Sequence, residues 1–433
     1  MLMGFVRLGC KPNENDLIAE YYFEPARGVT PEYACEQLAA ESSIGTWTAI
    51  ATLKPATAKR LAPKIFYLKR KGTGFVTRIA YPDELFEAGS VPQLMSAIAG
   101  NVFGMKVVNQ LRLNDFTLTK TLVKAFKGPQ LGIAGVRKML RVPRRPLCGT
   151  IIKPKVGLNE REHAAVAYDC WVNGLDLVKD DENLTSMRFN DFENRLAATL
   201  EAMDRAQSET GERKLYVCNV SAETNEMLRR AQLVKDNGGN VTMIDILTCG
   251  WSALQTLRDA NLRLVIHAHR AGHAAVTRNP RHGISMLALA KLSRLIGVDS
   301  LHVGAIYGKM EGSANEVLAL VKEIQSPRLA KDEAQGALEQ NWFGLAPVFA
   351  VASGGLHPGV LPQVVRAMGN DVIAQLGGGV HGLKGGSGAG SRATRQAIDA
   401  ITKCIPLKEY AETHAELAQA LKQWGTKPPK PGE

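Results

Sequence analysis

The residues whose types and spacing could do chemistry fall in a few short stretches. The sharpest is KDDEN, from Lys179 to Asn183. Adjacent carboxylates with no cysteine nearby suit a hard divalent cation such as Mg2+. Asp181 and Glu182 alone would hold such an ion loosely, and a third anionic oxygen would complete one side of an octahedron. Lys179 supplies that oxygen if its uncharged amine combines with CO2 to give a carbamate. A lysine in a confined, positively charged site has the lowered pKa this requires. The plain alternative is a solvated acidic turn with a lysine paired to it. Glycine runs at Gly354–Gly355 and Gly377–Gly379 fit close backbone approach to phosphate oxygens, or simply tight turning. Seven of the nine histidines lie between residues 267 and 381. His267, His269 and Arg270 can orient a phosphorylated sugar, although any single histidine can equally be a satisfied core residue. No clean set of three zinc ligands is present. GAIYGKMEG, residues 304–312, places Gly308 before Lys309, which reads as a mobile charged lid or as an ordinary surface loop.

The elements that must position these residues alternate regularly. Apolar, β-branched runs recur at CGTIIKP, LDLVKDD, KLYVCNVS, VTMIDIL, LRLVIHAHR, DSLHVGA, PVFAVASGG and VIAQLGGG. Helical patterns separate them, among them REHAAVAYDCWVNG and GISMLALAKLSRLIG. Near-continuous apolar strands alternating with helices argue for a parallel sheet covered on both faces. Eight units over this length argue for a closed α/β TIM barrel, (β/α)8. An open doubly wound sheet is the runner-up, but no GxGxxG follows the first strand. In such barrels the site lies at the C-terminal strand ends, where the polar residues fall: Lys153 and Lys155, Lys179 to Glu182, Asn219, Asp245, His267 to Arg270, His302, Ser353 and Gly377. Ahead of the barrel, LIAEYYFEPA and TRIAYP read as strands, and TPEYACEQLAAESS and VPQLMSAIAGNVFG as helices, giving a smaller α+β domain. The expected division is residues 1–130 for that domain and 131–433 for the barrel with a C-terminal helical tail. FKGPQLGIAGVRKMLRVPRRP reads as the linker, and TKPPKPGE as a disordered end.

Composition limits the alternatives. The chain has 433 residues, 45% hydrophobic and 22% charged, the profile of a soluble globular protein. It lacks an apolar run long enough to span a bilayer and lacks a secretory cleavage pattern, so a cytoplasmic protein with no membrane role is expected. The seven cysteines, at 10, 35, 148, 170, 218, 249 and 404, form no CxxC pair and read as reduced thiols. The net charge of +11 raises nucleic-acid binding. However, the basic clusters at Lys54–Lys71, Arg137–Arg145 and the tail do not interleave aromatics, and no nucleic-acid partner is expected.

The motifs GTIIKPKVGL, GLDLVKDDEN, HAHRAGHAA, LHVGAIYGKMEG, ASGGLHPG and QLGGG, with ESSIGTWT and GNVFGMK near the start, resemble the large subunit of ribulose-1,5-bisphosphate carboxylase/oxygenase (RuBisCO). The resemblance covers nearly the whole chain in order. TRNPRHGISMLALAKLSRLIG and AGVRKML resemble the archaeal form III enzymes, particularly those of methanogens. The resemblance implies Mg2+ held by carbamylated Lys179, Asp181 and Glu182, with CO2 as activator. It implies an acid/base role for Lys153, supported by Lys155, and a sugar-hydroxyl contact for His269. Arg270 and His302 would meet the distal phosphate, Lys309 would be the lid lysine, and Ser353, Gly354, Gly355, Gly377 and Gly378 would complete the substrate contacts. Glu41, Thr46, Trp47 and Asn101 match residues given by a neighbouring subunit, so a homodimer with shared sites is implied. Higher multiples of dimers stay open, and no small subunit is expected. The implied reaction is carboxylation of ribulose 1,5-bisphosphate to two 3-phosphoglycerates, with competing oxygenation. The alternative is a RuBisCO-like enolase, isomerase or decarboxylase on another sugar phosphate. Four positions depart from the commoner family text: Ile44 and Ile151 stand where threonine is frequent, Gly272 replaces a frequent methionine, and VHGLKGGSG, which includes Lys384, alters the loop at 380–386.

Overall fold

The computed structural model describes residues 4–46, 48, 50–306, 313–333 and 336–427. The chain forms two compact units. One comprises Met1–Lys127, Gly272–Ile296 and Ser326–Leu345; the other comprises Gly128–Ala271, Gly297–Gln325 and Ala346–Glu433.

The first unit is built on a five-stranded sheet. Strand Asp16–Pro25 sits at its centre, paired antiparallel with Gly74–Pro82 and Val108–Thr117. Lys64–Lys71 extends one edge, and the two residues Gly283–Ile284 extend the other in parallel. The expected helix after Thr30 runs over Pro31–Glu41. Its N-cap is the Thr30 hydroxyl, which accepts the Tyr33 N–H. Helix Met286–Ile296 also belongs to this unit and is buried all round, with Lys291 reaching Asp115 at 2.8 Å.

The second unit contains a closed barrel of eight parallel strands. In chain order they are Leu147–Ile151, Leu177–Lys179, Leu215–Asn219, Val241–Asp245, Val265–His269, Ser300–His302, Phe349–Ser353 and Val372–Leu376, hereafter barrel strands one to eight. Seven fall within the apolar runs picked out above, and the first begins one residue before its run, at Leu147. The helices between them carry their own stop signals. The helix after strand one, Glu160–Val172, opens with a reciprocal capping box between Asn159 and Glu162. The helix after strand two, Phe192–Thr210, starts on Asp191 and ends on Gly211 at φ 69°.

The supposed linker needs correction. Residues 132–140 form a helix, Gly132–Leu140, and not a bare connection. Ile133, Val136 and Leu140 share one face of it. They pack with Leu147, Leu177, Leu215, Val241, Val265, Phe349 and Ile373, which stand at or near the beginnings of the barrel strands. The helix therefore closes the N-terminal end of the barrel. Asp299 fixes it there: Oδ1 accepts the N–H groups of Leu131 and Gly132 at 2.8 Å each. Asp299 Oδ2 accepts Arg258 Nη2 at 2.5 Å and Ile266 N at 2.9 Å.

Candidate active site

Barrel strand two delivers the acidic stretch to the open end. Lys179 is fully buried, and its Nζ donates to the Asp180 carbonyl at 2.7 Å. Two other lysines are buried as deeply, and each meets a carboxylate at 2.8 Å: Lys214 with Glu212 and Lys291 with Asp115. Lys179 makes no such ion pair among the described residues. Burial pushes its pKa down, and the more distant charges of Glu182, Asp181, Asp245 and Asp180 only partly restore it.

The two neighbouring aspartates part company because successive residues of an extended chain face opposite sides. Asp180 is a structural anchor. It accepts the Tyr216 hydroxyl at 2.7 Å and the Asn219 N–H at 3.0 Å, and it pairs with His163 and Arg195 at 3.0 and 3.3 Å. Burial works against its charge, but Arg195 and His163 outweigh it and hold the carboxyl well below the usual range. Asp181 instead meets Lys153 Nζ at 2.8 Å, and Glu182 meets Lys155 Nζ at 3.1 Å. Burial would raise the Glu182 carboxyl, but the charges of His269 and Lys179 bring it below its ordinary value. From barrel strand three, Asn219 Nδ2 donates to the carbonyl oxygens of Asp181 and Glu182 at 3.3 Å each, which sets the course of that turn.

This donor set fits a hard divalent ion. Two consecutive carboxylates meet Lys153 and Lys155, and the buried Lys179 amine, bonded only to a carbonyl among the described residues, comes from the strand that carries them. No group of three or more His, Cys, Asp or Glu side chains among the described residues is arranged to hold a metal.

Strands four to six add the histidines. Asp245 accepts or shares the His269 Nδ1 proton at 2.7 Å, and His269 Nε2 stands 3.8 Å from Glu182. Asp245 N in turn donates to Ser221 Oγ at 2.9 Å. Arg270, just past strand five, is only 9% exposed and has no hydrogen bond or ion pair among the described residues. Burial lowers its guanidinium to about 10. The charge of Glu316 only partly offsets this burial, and an anionic ligand would offset more of it. Gly304 makes room for it: φ is +97°, and a Cβ there would lie 2.8 Å from Arg270 Nη2.

The glycine turns after strands seven and eight meet backbone to backbone. A Cβ on Gly379 would lie 2.2 Å from the Leu356 carbonyl. A Cβ on Gly377 would lie 3.4 Å from Lys153 Cε. Strand eight's turn thus lies against the lysine that also holds Asp181. Gly354 and Gly355, at φ 107° and 81°, adopt the left-handed region that favours glycine.

Comparison with known proteins identifies this constellation. Residues 132–424 match the catalytic domain of the ribulose bisphosphate carboxylase large chain, and residues 4–122 match its N-terminal domain. The chain belongs to the ribulose bisphosphate carboxylase large-chain family. It is 50% identical over 427 residues to the ribulose bisphosphate carboxylase of Methanosarcina barkeri, covering 98% of this chain and 99% of that one. A dimeric archaeal Rubisco from Hyperthermus butylicus superposes with a TM-score of 0.93 at 46% identity, covering 98% and 99% of the two chains. An octameric Rubisco from Pyrococcus horikoshii does so with a TM-score of 0.91 at 48% identity, covering 97% and 96%. The resemblance read from the motifs is therefore correct, and so is the barrel with a smaller N-terminal domain.

In this family member, the expected site residues Lys153, Lys155, Lys179, Asp181, Glu182, His269, Arg270, His302, Ser353, Gly354, Gly355, Gly377 and Gly378 all stand at the C-terminal ends of the barrel strands or just beyond them. Lys309 and Trp47 lie outside the described residues, as do residues 428–433 of the tail. Glu41, Thr46 and Asn101 belong to the first unit. There, Asn101 Nδ2 donates to Glu41 Oε1 at 3.1 Å across sixty positions of chain. Two of the departures find local reasons, and nothing in the structure explains Ile44 or Ile151. Gly272 has φ 81°, which favours glycine regardless of the neighbouring space. In the altered loop, His381 bridges Thr150 and Ser387 at 2.9 Å each, and burial with Lys153 nearby lowers it to about 4. The Lys384 backbone bonds Gln423 and Gln419, and its side chain is exposed. Reasoning from the sequence missed Gly304 and Ser221. A single glycine required by an arginine far along the chain leaves no periodic signal.

Proposed function

We propose that this protein carboxylates ribulose 1,5-bisphosphate to two molecules of 3-phosphoglycerate, with oxygenation as a competing reaction. The observation that carries the reading is Lys179, a buried lysine whose amine makes no ion pair among the described residues and which precedes the carboxylates of Asp181 and Glu182 at the end of the same strand. An amine whose pKa burial lowers gives up its proton more readily, and the neutral amine is the nucleophile needed to capture activator CO2 as a carbamate. Lys179 as carbamate, Asp181 and Glu182 would then hold Mg2+, which when bound supplies Lewis-acid stabilisation of negative charge on the substrate oxygens.

The chain's own residues do the rest. Arg270 and the glycine turns at Gly354–Gly355 and Gly377–Gly378 hold the two phosphates, so the sugar lies across the barrel mouth. His269, oriented by Asp245, turns Nε2 toward the sugar hydroxyls. Lys153, between Asp181 and strand eight's turn, is placed to exchange a proton with the substrate's second carbon or its oxygen. Removal of the proton on the third carbon gives an enediol, whose second carbon attacks CO2. Water then adds to the third carbon, the bond between the second and third carbons breaks, and a proton completes the second 3-phosphoglycerate. Lys309 would stabilise the new carboxylate. Glu41, Thr46, Trp47 and Asn101 of one subunit would complete the site of the other in a homodimer. The dimeric and octameric relatives support dimer-based assembly.

The test is labelled-CO2 fixation into acid-stable product with ribulose 1,5-bisphosphate, run without oxygen after preincubation with Mg2+ and bicarbonate. Labelled 3-phosphoglycerate that depends on the preincubation is the expected result. A folded dimer that enolises a sugar phosphate but fixes no label would turn the assignment to the RuBisCO-like alternative.

A further inference from the structure

Four side chains form an unbroken hydrogen-bonded line inside the barrel. Ser300 Oγ lies 2.8 Å from His267 Nδ1, His267 Nε2 lies 2.8 Å from His302 Nε2, and His302 Nδ1 lies 2.8 Å from Ser353 Oγ. The line starts in the barrel interior on strand six, crosses to strand five, returns to strand six and ends at the mouth on strand seven. Ser300, His267 and His302 are buried, and the two imidazole rings meet edge to face at 4.9 Å. Burial, with the charges of Lys179 and His269 adding to it, keeps both rings in their neutral form.

A neutral imidazole carries one N–H. At 2.8 Å, two facing Nε2 atoms need one hydrogen between them, so the rings must adopt opposite tautomers. Only two settings satisfy the line. In one, Ser300 donates to His267 Nδ1, His267 Nε2–H donates to His302, and His302 Nδ1–H donates to Ser353 Oγ. The Ser353 hydroxyl hydrogen is then free to point into the mouth. In the other, every donor reverses: Ser353 gives its hydrogen to His302 and offers the mouth only an acceptor. A phosphate or sugar oxygen bearing negative charge needs the first setting.

We infer that His267 and Ser300 are positioning residues that hold His302 in its Nδ1–H tautomer, so that Ser353 presents a hydrogen-bond donor to the substrate. Neither needs to touch the ligand. This deepens the carboxylase assignment and rests on it for the identity of the substrate, but the tautomer itself belongs to the ligand-free protein.

Two measurements test it. The first is 15N NMR of histidine-labelled protein without ligand, with the His302 signals assigned by loss in His302→Gln. A protonated Nδ1 and bare Nε2 on His302 are expected, reversed in His267. A protonated Nε2 on His302, or an imidazolium at neutral pH, overturns the inference whatever the enzyme's substrate. The second compares variants in ribulose 1,5-bisphosphate kinetics. His267→Leu removes the donor and should raise KM about tenfold with little change in kcat, the pattern of a contact made equally in the ground and transition states. His267→Gln keeps an amide N–H where Nε2–H stood and should restore KM to within about threefold. Ser300→Ala should raise KM less than His267→Leu. A folded His267→Leu protein with wild-type KM, or a Gln variant as impaired as the Leu variant, would overturn the positioning role.

Discussion

The two ends of the barrel use charge in opposite ways. At the N-terminal end every buried or half-buried arginine has its carboxylate. Arg258 meets Asp299, Arg145 meets Asp176, Arg137 meets Asp371 and Arg395 meets Glu212, at 2.5–3.0 Å. Apolar side chains from helix Gly132–Leu140 fill the space between the strand beginnings. At the C-terminal end the balance is withheld. Arg270 is buried with no hydrogen bond or ion pair among the described residues and only the charge of Glu316 to offset it, Lys179 is buried against a carbonyl, and the buried rings of His267 and His302 meet edge to face. One end is arranged to be stable. The other pairs its carboxylates but leaves Arg270 and Lys179 without an ion pair among the described residues, a cost that the rest of the fold offsets.

Substitutions can break this contrast, and the largest effect belongs to Lys179. On the proposed reading, Lys179→Met should lower carboxylation by about a thousandfold or more, because it would remove both the metal's third donor and the site of activation. Its urea midpoint should not fall, since the amine has no ion pair to lose. Asp299→Ala, at the other end, should do the reverse. It strands Arg258 and three backbone N–H groups, so it should cost about 3–5 kcal/mol in urea unfolding, while kcat per folded site stays near wild type. Arg270→Met should act with both signs. KM for ribulose 1,5-bisphosphate should rise about 10- to 100-fold, while the ligand-free protein becomes more stable by about 1 kcal/mol. A loss of stability in that variant would mean the guanidinium is compensated after all.

Acid should sharpen the comparison further. His267 and His302 are held neutral, with folded pKa values well below the ordinary one. Below about pH 6.5 the unfolded chain takes up protons on these residues and the folded chain does not. Stability should therefore fall as the pH drops, by up to about 1.4 kcal/mol per pH unit for each ring. Comparing the pH slope of unfolding in wild type and in His302→Gln isolates one ring's share. The smallest effect is expected of Lys384→Ala. The exposed side chain should matter by less than about 0.5 kcal/mol, and turnover should be unchanged. A large loss of activity there would show that the loop at 380–386 reaches the chemistry.

The eight strands were legible because a buried parallel strand leaves a plain mark: a short apolar run closed by a polar residue. The KDDEN stretch was legible because its chemistry is local in sequence. Two kinds of feature stayed hidden. Helix Gly132–Leu140 was masked by the glycines, prolines and arginines around it, since its short apolar face makes sense only against the strand beginnings it covers. The pairing of Lys179 was hidden too: the residue types of KDDEN suit a surface turn as well as a metal site. Only the fold shows that Asp180 turns away to Arg195 and His163, leaving the amine without an ion pair. Gly304 and Ser300 are legible only through arginine and histidine partners on a different strand.

The helix that stoppers the barrel has a consequence for traffic. A barrel closed at its base has one open end, and on the reading proposed above the activating gas, the bisphosphate, the reacting gas and both three-carbon products would all use it. Occupancy by any one of them delays the rest. On the carbamate reading proposed above, a bisphosphate that settles before Lys179 has been converted would stand in the path of the molecule that converts it. The order of arrival, and not affinity alone, then decides how many sites in a population are working at a given moment.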